Sequence, residues 1–127
     1  MDENVFSINK CIDNEFIFSI KKQNELLPLD LNESVDRFEF RIIKLSTREV
    51  ISTIDHADSN DGVITFHDSV NGQIKVVLYK EFTSTLEAVY GDRADNYYSK
   101  PMYEILVTGN SVIDGAIQFK IPEVYVS

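Results

Sequence analysis

The sequence predicts an all-β fold, an antiparallel β-sandwich of seven or eight strands with one short helix near residues 81–90. Three observations predict it. Apolar residues alternate with polar ones in run after run along the chain. Turn-forming residues separate those runs at intervals of about 10 to 15 residues, the spacing of a two-sheet sandwich. Composition agrees, with eight Phe, six Tyr, no Trp and many Ile and Val, residue types that suit a pleated, half-buried surface.

Taken in order, "EFIFSI" sets Phe16, Phe18 and Ile20 on one face. "RFEFRIIKL" sets Phe38, Phe40 and Ile42 on one face, with Glu39 and Arg41 opposite. "EVISTI" is a short strand. "GVITFH" puts Ile64 and Phe66 on one side and Val63, Thr65 and His67 on the other. "GQIKVVLY" groups Ile74, Val76 and Leu78, "MYEILVTG" groups Tyr103, Ile105 and Val107, and "GAIQFKI" groups Ile117, Phe119 and Ile121. After Pro122 the phase changes, and Val124 and Val126 become the apolar positions. Proline cannot donate to a ladder, so a bulge or edge break is expected there.

The breaks carry turn chemistry. "NELLPLDLNES", "HADSNDG", "VNG" and "TGNSVIDG" separate strands, and Asn71-Gly72 is a strong tight-turn signal. One segment departs from period two. In "KEFTSTLEAVYG", Phe82, Leu86 and Val89 or Tyr90 fall at helical spacing, and Gly91 follows as a C-terminal cap. This predicts two to three helical turns lying as a lid across one end of the sandwich. The chain of 127 residues reads as one domain, residues 1–127, large enough to bury its own core.

Charge narrows the partners. Twenty-one acidic against twelve basic residues give a net charge of −9, which opposes nucleic acid and anionic membrane surfaces. The expected partners are proteins. A single cysteine, Cys11, forms no intrachain disulfide, which suits a reducing cytoplasm, and it reads as a small, partly buried apolar residue. The start "MDENVFSINK" is not expected to be a signal peptide. No run reaches the roughly 20 apolar residues of a membrane span.

Candidate chemistry does not assemble. Asp55, His56, Asp58 and Asp61 suggest a calcium loop, but with Gly62 as the sixth position Ala57 falls first, where a ligand is needed. His56 and His67 are the two histidines, and a zinc site needs three or four converging ligands. Acidic pairs such as Asp92 with Asp95 do not define two carboxyls across a cleft. GxSxG, HExxH, CxxC and phosphate-binding glycine loops are missing from the sequence. The expectation is a protein that is not an enzyme, with no catalytic, cofactor-binding or metal-binding residues.

The stretch "YGDRADNYYSKPMYEI" concentrates tyrosines, and tyrosine both anchors protein interfaces and stacks on sugars. A competing reading packs Tyr98 and Tyr103 beneath the helix with their hydroxyls at the rim. Pro101 is expected to start the next strand.

"NEFIFSIKKQNELLPLDL" reads as strand, polar turn and a Pro-Leu-Asp-Leu step into the next strand. "GQIKVVLYKEFTSTLEAVYGDRADNYYSKPMYEILV" reads as strand, helical excursion, charged loop and a Lys-Pro-x-Tyr entry to a strand, and the chain ends "FKIPEVYVS". This order resembles small virion proteins of tailed bacteriophages that carry an immunoglobulin-like (Ig-like) β-sandwich. It is also similar to the N-terminal domain of phage upper-baseplate and tail-fibre adaptor proteins. The resemblance implies a structural protein with no catalytic residues to carry over, a repeated building block of tail, baseplate, neck or head decoration. It implies other virion proteins and further copies of the same chain as partners, and a place in the virion after assembly in the host cytoplasm. The terminal strand "IQFKIPEVYVS" is expected to pair with another subunit by strand addition. The candidate interface is Tyr90, Arg93, Tyr97, Tyr98, Tyr103, Phe119, Val124, Tyr125 and Val126. The alternative is a carbohydrate-binding β-sandwich that stacks sugars on Tyr97 and Tyr98.

Overall fold

A computed structural model describes residues 6–21, 29–31, 37–90, 99–111 and 115–127. The strands are β1 (Phe6–Ile8), β2 (Asn14–Ser19), β3 (Arg37–Lys44), β4 (Val50–Ile54), β5 (Gly62–Asp68), β6 (Gln73–Leu78), β7 (Val89–Tyr90), β8 (Ser99–Lys100), β9 (Tyr103–Ser111) and β10 (Gly115–Val126), with helix α1 (Lys80–Thr83) after β6. A five-stranded sheet runs β1-β10-β9-β3-β4 and a three-stranded sheet runs β2-β6-β5. β7 and β8 form a separate antiparallel pair. The order β2-β6-β5 matches B-E-D of an immunoglobulin domain, and β10-β9-β3-β4 matches G-F-C-C′. The fold is an Ig-like β-sandwich.

Alternation is what builds it. Phe38, Phe40 and Ile42 of β3, Ile105 and Val107 of β9, and Ile54 of β4 face inward and are buried. They meet Ile64, Ile74, Val76 and Leu78 of the other sheet in one core. In place of a disulfide, aromatic rings link the sheets. The ring of Phe18 on β2 lies 6.0 Å from that of Phe40 and 5.8 Å from that of Phe119. Leu29 and Leu31, the leucines of the Pro-Leu-Asp-Leu step, are buried. Their N–H groups donate to Ile20 O (2.9 Å) and Ser69 O (2.8 Å).

Several expectations change. The ladder is not wholly antiparallel, because β1 pairs in parallel with the end of β10, Phe6 opposite Val124 and Ile8 opposite Val126. The helix spans Lys80–Thr83 alone. Its position as a lid holds, with Phe82 and Leu86 buried. Its length does not, since the Ser84 and Thr85 hydroxyls donate to carbonyls three residues earlier, while the Thr83 hydroxyl donates to Ile12 O at 2.8 Å. Such back-bonds compete with the helical ladder. Val89 and Tyr90 are then strand, so no helix reaches Gly91, which itself lies outside the described residues. Pro101 sits between β8 and β9 rather than opening a strand. Cys11 is exposed, with φ 66° in the turn between β1 and β2.

The break at Pro122 is present. The register of β10 against β9 shifts between Ile121 and Val124, and β10 continues beyond it. The turn at Asn71-Gly72 is wider than two residues, because Asp68 and Gln73 are the last paired residues. Asn71 donates to Asp68 through its side-chain and backbone nitrogens (2.8 and 3.3 Å). These bonds hold the Asp68 carboxyl below its ordinary value of 3.8. A depressed carboxyl stabilises the fold above its unfolded value and loses that contribution as pH falls through the folded one, so this turn loosens in acid.

Candidate interaction site

Among the described residues the sandwich is closed on one flank and open on the other. At the closed flank β4 and β5 come together: Ile64 N–H donates to Asp55 O (2.7 Å), and Ser52 Oγ donates to Asp61 Oδ2 (2.6 Å). His56 seals the same flank, its Nε2 accepting the Phe38 N–H at 3.0 Å and its ring stacked 5.0 Å from Phe66. The histidine of the acidic loop thus fastens two strands. Among the described residues no three His, Cys, Asp or Glu side chains converge as a metal site.

The other flank lies between β2 and β10. Each is the outer strand of its sheet there, because β1 covers β10 only from Val124 to Val126. Among the described residues no strand pairs with the outer edge of β10 from Gly115 to Ile121. The inward-phase side chains record the opening. Val124 and Val126 are fully buried, whereas Ile117, Phe119 and Ile121 on the same strand are only partly buried. Phe16 and Phe18 on β2 are likewise half-covered.

Phe6, Phe16, Phe18 and Phe119 form an aromatic cluster along this side, with Phe6 and Phe16 centroids 4.6 Å apart. A groove of about 260 Å³ runs beside it, lined by Ser19, Ile20, Lys21, Ala116, Ile117, Gln118 and Phe119. An edge of unused N–H and C=O groups above an apolar floor is the arrangement that accepts an added strand. Each further 100 Å² of apolar surface covered there is worth about 2.5 kcal/mol.

The nine residues expected at an interface separate. Tyr103 is 2% exposed, and its hydroxyl accepts the Glu87 N–H at 2.9 Å. It is a core residue that ties the start of β9 to the segment after α1, as the tyrosine near the start of strand F does in immunoglobulin domains. A tyrosine at the first core position of the penultimate strand is the sequence signal for that role. Val124 and Val126 are also core, both paired with β1 and Val124 with β9 as well. They offer a partner nothing, and this corrects their place in the expected interface. Phe119 and Tyr125 are partly exposed. Arg93, Tyr97 and Tyr98, and the side chain of Tyr90, lie outside the described residues. Strand addition by the terminal strand therefore moves from its last residues, whose outer edge β1 already covers, to its first half.

One polar pair escaped the sequence reading. Glu104 points to the outer face of β9 yet is 5% exposed, and it accepts a hydrogen bond from Arg48 Nη2. Arg48 sits in the β3–β4 turn with φ 61°. Replacing Arg48 with Ala strands a nearly buried carboxylate and is expected to cost about 1–3 kcal/mol. Arg48→Gly loses the same pair but relieves the left-handed backbone, so it should retain about 0.5–1 kcal/mol more stability than Arg48→Ala. Urea melts of the two variants check the order. Equal stabilities would show that the turn stores no strain.

No helix among the described residues is long and apolar enough to cross a membrane. No protein-family model matches the chain, and no curated protein matches its sequence.

Proposed function

We propose that this chain is a non-enzymatic assembly module that acts by protein–protein contact and, following the resemblance described above, a repeated building block of a phage virion. The observation that carries the assembly reading is the open flank: a strand edge of seven residues, Gly115 to Ile121, above half-covered Phe18, Ile117 and Phe119. A sandwich that closes one flank and leaves backbone donors and acceptors exposed along the other is built to be completed by a partner. The charge of −9 favours proteins over nucleic acid as that partner. The place in a particle rests on the resemblance.

Quantitative mass spectrometry of gradient-purified phage particles, taken from a lysate in which the chain is expressed, tests the virion role. The expected result is the chain at a fixed copy number per particle. Its absence from particles, with the protein abundant in the same lysate, would overturn the virion role.

A further inference from the structure

Resting on the assembly reading, we infer that the open flank is completed by the opposite flank of a second copy. β4 and the acidic β4–β5 loop of one molecule dock along the β10 edge of the next, head to tail.

Two complementary features carry this. The first is sign. The groove is lined by Lys21 and followed on β10 by Lys120; both are exposed, and among the described residues neither is in an ion pair and no acidic residue lines the groove. The opposite flank carries Asp55, Asp58 and Asp61, whose partners are uncharged. Asp55 accepts the Ala57 N–H, Asp58 the Tyr79 hydroxyl and Asp61 the Ser52 hydroxyl. The Asp58 carboxylate raises the Tyr79 hydroxyl above its ordinary value. Among the described residues each copy therefore presents cations without an acidic partner on one flank and carboxylates without a cation on the other.

The second is edge geometry. β10 and β4 belong to the same sheet on opposite sides of β9 and β3. Outside its pairing with β3, β4 is in no strand ladder among the described residues; the contacts that close this flank run through the Ser52 side chain and through Asp55 O, just past the end of β4. Val50 is 49% exposed on it. Its five residues fit within the open edge of β10, Gly115 to Ile121. Joining the two edges continues the five-stranded sheet from molecule to molecule. The contact is heterologous, so it closes into a ring or extends as a filament rather than stopping at a two-fold dimer.

The test uses light scattering and sedimentation velocity over a range of protein concentrations. K21E/K120E disables the accepting edge and D55K/D58K disables the donating flank; all four positions are exposed. Wild type should self-associate. Each variant alone should associate at least about tenfold more weakly. An equimolar mixture of the two should associate again, since the native Asp flank of one meets the native Lys edge of the other and the two reversed surfaces are complementary in turn. K10E/K80E, which changes net charge as much as K21E/K120E but away from the groove, should behave as wild type.

A wild type that stays monomeric at every concentration overturns the inference. So does self-association that K21E/K120E leaves unchanged, or that K10E/K80E weakens equally. In each of these cases presence in purified particles would still support the assembly reading, so the two failures are separable.

Discussion

Phe40→Ala should lower stability by about 3–5 kcal/mol, the range for emptying a buried phenylalanine site. Phe40 has no solvent exposure. It sits on β3 between two other strands of the five-stranded sheet, opposite Ile54 of β4 and Val107 of β9, both also fully buried. Its ring meets Phe18 across the sheet gap at 6.0 Å. Backbone ladders on both sides keep β3 from collapsing into the space left behind, so the cavity persists and its cost adds to the lost transfer energy. Phe40→Leu refills most of that volume and should cost less. Val70→Ala, at a site 69% exposed, should change stability by no more than about 0.5 kcal/mol. Urea denaturation of the three variants decides the matter. A loss below about 1 kcal/mol for Phe40→Ala would mean that the sheets are not packed on this ring.

The sequence made the long strands readable because a strand with one buried face must alternate, and β3, β5, β6, β9 and β10 each have one. Alternation says which face a residue takes. It does not say which edge is already paired, and the terminal strand was misread for that reason. Val124 and Val126 read as an edge that another subunit would cover, yet their partner is β1, Phe6 to Ile8. Three residues, Phe6 to Ile8, are too few to show a period, and a parallel pairing leaves no hairpin turn to announce it. Helical spacing in "KEFTSTLEAVYG" was real but reflected one turn and a buried Leu86, with the run of Ser and Thr ending the helix.

The candidate site was legible in half. Phe119 was visible as an apolar residue on a strand with an exposed edge. The opening beside it was not, because it depends on how far β1 reaches along β10, a tertiary fact with no local signal. Arg48 and Glu104 were invisible for the same reason. They lie 56 positions apart in sequence, and nothing around Glu104 distinguishes it from the other outward-facing charges.

Gly72 supports the largest effect expected from a single turn residue. Its φ is 69°, and a Cβ built there would lie 2.4 Å from Ile20 O and 2.6 Å from Leu29 O. Both are backbone atoms held by the bonds that fasten this corner: Ile20 N–H to Gly72 O at 2.7 Å and Leu29 N–H to Ile20 O at 2.9 Å. Two penalties are therefore combined, a left-handed backbone worth about 1–2 kcal/mol for an ordinary residue and a close approach that demands backbone movement. Asparagine separates them, since it tolerates positive φ but still carries a Cβ. If close approach dominates, Gly72→Asn and Gly72→Ala should both cost about 2–4 kcal/mol. If φ alone matters, Gly72→Asn should stay within about 1 kcal/mol of wild type. The contacts predict the first outcome. They further predict faster amide hydrogen exchange at Leu29 and Leu31 in both variants, because the N–H groups of those residues are protected by bonds to Ile20 O and Ser69 O. Unchanged exchange there would show that the corner yields without opening.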